Sequence, residues 1–133
     1  MRIESAFLAI AGVCLIVGAG LGIYMGIQED FQLVAVHTHV NLVGWVSLAL
    51  FGVFYKLHPH LSGTRMSRVH FVLATPGAVL LPPGIYLAEF HGTPWLAIVA
   101  SLLWLGGALV FLAVLARLML SRSHADATVE TRQ

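Results

Sequence analysis

Charge is scarce in this chain. Only 10% of its 133 residues are Asp, Glu, Lys or Arg, and seven basic residues against six acidic ones leave a formal net charge of +1. Without a basic face there is nothing to neutralise a row of phosphates, so a nucleic-acid partner is excluded. Cysteine is scarcer still. Cys14 stands alone, so no disulfide forms within the chain and no thiolate cluster is available for a metal. Low-complexity tracts and long linkers are missing too, and with them any sign of a second domain. What remains is apolar: 59% of the residues are hydrophobic and the mean hydropathy is +0.89. A soluble domain of this length could not cover so much apolar surface, and the composition is that of an integral membrane protein.

Four segments reach the roughly 20 apolar residues that cross a bilayer: Ala6–Ile27, Leu33–Leu57, Val69–Phe90 and Trp95–Leu120. The expected fold is therefore all-α, a four-helix membrane domain over residues 1–120 followed by a polar, frayed tail over 121–133. The first segment is expected to stay on the protein. Its stretch Ala11-Gly12-Val13-Cys14 places a valine where a lipoprotein cleavage site needs a small residue. Arg2, Lys56, Arg65, Arg68, Arg117 and Arg122 lie at the N-terminus, the second loop and the C-terminus, whereas the first and third connections carry no Lys or Arg. By the positive-inside rule both termini are cytoplasmic, in a multi-pass protein of the cell inner membrane surrounded by lipid. The second helix then runs inward from the outer face.

Small and rigid residues suggest how the helices meet. Gly18, Gly22 and Gly26 recur at four-residue spacing in the first segment, with Gly12 and Gly20 beside them. That spacing lets backbones approach closely, and the segment reads as a packing face rather than a lipid-facing one. The third segment holds Pro76-Gly77 and Pro82-Pro83-Gly84. Adjacent prolines remove two backbone donors, so a kink or a locally unwound turn is expected there.

Seven histidines carry the chemical interest. His37 and His39 lie inside the second segment, in the run Val36-His37-Thr38-His39-Val40-Asn41. An ionisable side chain at membrane depth is by default a functional residue. On a helix, residues two apart point roughly 200° away from each other. One helix therefore cannot close both imidazoles on one metal, and they address two different pockets or neighbours. Neutral imidazole ligates haem iron, zinc or copper. Haem is favoured because an apolar macrocycle suits an apolar pocket. No carboxylate lies at their depth except near the loop ends, so a proton relay is not expected. His91, in the third connection, is the one same-level partner for the pair. His58, His60 and His70 belong to the other side and His124 to the tail, separated from the pair by roughly the 30 Å of hydrocarbon. His70 is expected to be an interfacial residue or a hydrogen-bonding anchor, and with His91 it is a lesser ligand candidate.

A family resemblance enters at these residues. The segment His37-Thr38-His39-Val40-Asn41-Leu42-Val43-Gly44-Trp45, continuing through Phe51-Gly52-Val53-Phe54-Tyr55-Lys56-Leu57-His58-Pro59 to Ser62-Gly63, resembles the haem-binding tenth helix of subunit I of the haem-copper oxidases. Arg68-Val69-His70-Phe71-Val72-Leu73, with Gly77 and Pro83, is similar to the eleventh. The resemblance implies that His37 and His39 are axial ligands of two different haems, of the b type. It covers under half of the chain. It also implies limits, because no second histidine cluster resembles the copper site. Copper-dependent oxygen reduction is therefore not expected, and enzyme activity stays open. The family fold is three arcs of four helices around a threefold axis, and this chain has the size of one arc. The implied assembly is a homotrimer in which His37 of one copy meets His39 of the next.

Three functions follow as expectations. The first is a haem-binding membrane protein of the cytochrome b kind, for electron transfer with a respiratory redox partner or for binding a diatomic gas. The second is a cofactor-free accessory or assembly module of a respiratory complex. The third is a copper or zinc handler using His58, His60, His70 and His124.

Overall fold

The computed structural model describes residues 2–130, with side chains as far as Ser121. Among the described residues every regular element is a helix. Helix α1 spans Ile3–Gln28, α2 Val34–Leu57, the single turn α3 Pro59–Ser62, α4 Arg65–His91 and α5 Trp95–Glu130. Four of these are long and apolar enough to cross a membrane, as expected of a multi-pass protein. The helices overrun the apolar segments at several ends. In α4 the reason is a cap: the Thr64 hydroxyl accepts the Ser67 backbone N–H at 3.2 Å, so Arg65 to Arg68 form a first turn instead of loop. The polar segment after Ser121 continues the backbone of α5 to Glu130 rather than fraying. His124 lies outside the residues whose side chains are described.

The connections close where they must. Glu29 takes a left-handed conformation (φ 51°) at the end of α1, and its N–H returns to the Met25 carbonyl. Gly92 does the same after α4 (φ 64°), bonding to the Leu87 carbonyl, and glycine adopts that conformation without a Cβ penalty.

Packing is organised as two pairs. α1 lies along α2, and α4 along α5. The second pair is the tighter. A Cβ at Gly77 would lie 2.6 Å from the Trp104 backbone nitrogen, one at Gly84 2.6 Å from that of Ala97, and one at Gly107 2.8 Å from the Ala74 Cβ. These three glycines allow backbone to meet backbone. In the first pair, Gly18 and Gly22 face Asn41 and His37, but Gly12, Gly20 and Gly26 have nothing within 4 Å. The glycine run of α1 is thus a contact stripe only in part. Its other face is open, with Ile16 and Ile27 about three-quarters exposed (74% and 75%).

The two pairs join through an aromatic core at the second-loop end. Phe7 of α1, Phe51 and Tyr55 of α2 and Phe111 of α5 surround His70, and Phe71 of α4 packs on Phe7. At the other end, α1, α2 and α4 leave an apolar cavity of about 710 Å³. Pro82 and Pro83 line it. The helix does not unwind at these prolines: its backbone is continuous from Arg65 to His91. The ring of a proline removes the donor to the carbonyl four residues back, which frees Ala78 and Val79, and these too line the cavity.

Candidate functional site

α2 is not one uniform helix. Its first turns, Val34–His39, are α-helical, Val40–Ser47 is π-helical, and Leu48–Leu57 is α-helical again. Ser47 marks the wider turn, since its hydroxyl donates to the Leu42 carbonyl five residues back at 2.7 Å. The hydropathy of this stretch, Val40-Asn41-Leu42-Val43-Gly44-Trp45-Val46-Ser47, does not distinguish it from the α-helix on either side. π segments occur mostly within longer helices and frequently at functional sites. This one begins directly after His39.

His37 and His39 both fall in the α-helical part, so the separation of roughly 200° between them holds. Thr38 lies between them and is exposed, as are Val34 and Leu42 one turn to either side. Val36 and Val40 are buried on the opposite side and line the apolar cavity. α2 therefore presents an open strip, Val34–Thr38–Leu42, with a half-buried imidazole on each flank. Neither histidine lines the cavity.

The two rings are held differently. Nδ1 of His39 lies 2.8 Å from the Ala35 carbonyl. A carbonyl only accepts, so the proton is on Nδ1 and the Nε2 lone pair is free. This is the arrangement by which a backbone carbonyl orients a metal-ligating histidine. His37 sits against α1, where a Cβ at Gly22 would come within 3.0 Å of its Cε1. The Asn41 side-chain nitrogen donates to the His37 carbonyl at 2.9 Å and lies 3.4 and 3.5 Å from the two ring nitrogens. Near-equal distances put the amide over the ring edge rather than along either lone pair. Asn41 in turn occupies the space left by Gly18. The donor set is thus two imidazoles among apolar neighbours, with Nε2 of His39 uncommitted and the His37 ring beside the Asn41 amide. That chemistry fits haem iron, which takes one or two axial imidazoles and needs few other polar contacts.

The remaining histidines separate cleanly. His70 is fully buried within the bundle. Its Nδ1 is hydrogen-bonded to the Tyr55 hydroxyl at 3.0 Å, and its ring is 4.5 Å from Phe51 at 78° and 5.1 Å from Phe111. Nε2 has no hydrogen-bond partner. With the tyrosine donating to Nδ1, the remaining proton sits on Nε2, and a perpendicular phenyl ring is the geometry of an N–H···π contact. Aromatic rings close off every approach, leaving no space for a macrocycle on this imidazole. His91 ends α4, exposed, with Tyr86 as its ring neighbour at 5.6 Å and no ring contact to His37 or His39. His58 bonds through Nδ1 to the Phe54 carbonyl at 3.0 Å and lies 6.0 Å from the exposed His60. Among the described residues no three His, Cys, Asp or Glu side chains converge as metal ligands.

One buried acid escaped the hydropathy pattern. Glu4, outside the expected first span, falls within α1 and is 5% exposed. It pairs with the Arg2 guanidinium at 2.6 Å, and its second oxygen is unpartnered. A charge so close to an apolar run gives no hydropathy signal of its own. Comparison of the chain with known protein families, with curated proteins and with solved structures finds no match.

Proposed function

We propose that this chain is a haem-binding membrane protein, a single repeat resembling one four-helix arc of haem-copper oxidase subunit I. It holds b-type haem through His37 and His39 and serves electron transfer or the binding of a diatomic gas. The observation that carries the proposal is the free Nε2 of His39, oriented by the bond from Nδ1 to Ala35 on the flank of an exposed strip. The reading also rests on the segment from His37 to Pro83 and on no similarity elsewhere in the chain. In the proposed homotrimer, the open strips of α2 face the threefold axis. His39 of one copy and His37 of the next then stand at matching depth, as rotation about the membrane normal requires. Bound haem supplies reversible one-electron exchange or a coordination position for a gas. The protein's part is to orient the imidazoles, exclude water and wall the site with Val34, Leu42 and Trp45. The basic residues at the second-loop end favour cytoplasmic termini.

Absorption spectra of detergent-purified protein from haem-replete cells test this directly. A Soret band lost in His39→Ala is the expected result, and colourless wild-type protein refutes it. Native mass spectrometry showing a monomer with full haem content removes the trimer while leaving the haem.

The packing of His37 against Gly22 and Asn41 favours a second reading. A histidine so satisfied between helices also suits a cofactor-free accessory module of a respiratory complex, for which the wild-type protein is colourless.

A further inference from the structure

We propose that a pocket between the start of α4 and the end of α5 binds the phosphate of an anionic membrane lipid. The pocket has a volume of about 230 Å³ and is lined by Leu61, Thr64, Arg65, Met66, Val114 and Arg117. It is distinct from the histidine strip, and the proposal does not depend on haem. It rests on the chain crossing a membrane.

Three features carry it. The first is charge. Arg65 and Arg117 come from different helices and meet at one pocket, yet neither has a carboxylate partner or a hydrogen bond among the described residues. The one ion pair among those residues is Arg2 with Glu4. A guanidinium presents donors in a planar fork that matches phosphate oxygens, so two unpaired ones on one pocket are complementary to a phosphodiester. The second is depth. Arg65 opens the span Arg65–His91, and Arg117 lies about one turn before the end of the span Trp95–Ser121. Both heads thus stand where the hydrocarbon gives way to headgroups. The third is the floor. Leu61, Met66 and Val114, the last 4% exposed, are apolar. A soluble anion has no use for such a floor, whereas a lipid places glycerol and the first chain carbons below its phosphate. Basic pockets between transmembrane helices at this level recognise anionic headgroups, and in a zwitterionic lipid the choline cation beside the phosphate is repelled by the two guanidinium groups.

The test uses the full-length protein, delipidated in detergent, with binding of phosphatidylglycerol and phosphatidylcholine read by native mass spectrometry. Phosphatidylglycerol is expected to bind about tenfold or more tightly than phosphatidylcholine, from two arginines near the surface. Arg65→Gln/Arg117→Gln is expected to abolish that preference. Arg68→Gln, which removes a charge at the same level but outside the pocket, is expected to keep it. All three arginines are exposed, so folding is not at stake. Unchanged lipid preference in the double variant, or an equal loss in Arg68→Gln, overturns the pocket. Competition by millimolar inorganic phosphate reassigns the site to free phosphate and overturns the lipid.

Discussion

The two ends of the bundle treat histidine in opposite ways. At the second-loop end His70 is sealed by Tyr55, Phe51, Phe7 and Phe111, and no macrocycle fits there. At the first-loop end His37 and His39 flank an open strip, with an apolar cavity behind them. A buried polar ring surrounded on all sides fixes how helices dock. A half-buried ring beside an open strip stays reachable from outside the bundle, and under the proposed function it is a ligand. The residue type is the same, and the environment assigns the role.

The largest expected effect lies at the open end. His39→Ala is expected to lower haem content more than tenfold, read from the Soret band per mole of protein. The matched change His70→Phe, which fills the aromatic site, is expected to leave haem in place. Equal loss of haem from both variants erases the contrast between the two ends.

Next comes the helix pair that supports the sealed end. Gly77→Ala would set a Cβ 2.6 Å from the Trp104 backbone, which cannot withdraw as a flexible side chain can. A loss of about 1–3 kcal/mol is expected in detergent unfolding, the usual range for overpacking. Gly26→Ala, with nothing within 4 Å, is expected to be neutral in the same assay.

Tyr55→Phe is expected to cost about 1–2 kcal/mol, because it strips His70 of its one hydrogen bond while leaving the ring buried. Tyr55→Phe/His70→Leu removes both partners and is expected to recover most of that loss. A double variant no more stable than the single one assigns His70 a role beyond packing.

The smallest effect sharpens the pair itself. Gly22→Ala brings a Cβ to 3.0 Å from the His37 ring, which needs to give by a few tenths of an ångström. The fold is expected to hold, with a shift in the reduced absorption bands rather than their loss. Identical spectra separate His37 from the iron.

The four long apolar helices and the divergence of His37 and His39 were legible in the sequence. Hydropathy alone marks the four spans, since burial in lipid is decided by composition over some 20 residues. The opposed directions of His37 and His39 follow from helical rotation, a local property. The role of His70 was not legible. It depends on Phe111, brought from a helix that the chain reaches only after another complete crossing of the bundle. Of the two outcomes expected at Pro82 and Pro83, a kink or a locally unwound turn, the second does not occur, since α4 is continuous across them. The glycines misled. Those of α1 drew attention by their spacing, whereas the closest backbone approaches fall at Gly77, Gly84 and Gly107. Contact depends on which face a partner helix takes, and spacing within one helix does not report that.

By itself, then, the sequence determined a membrane protein of four spans and the divergence of two imidazoles, because both arise from transfer energy and helix geometry within one segment. Only tertiary structure decided which histidine is buried, where α2 widens into a π turn, and which arginines share a pocket. Those depend on distances between residues far apart in the chain, and no local pattern encodes them.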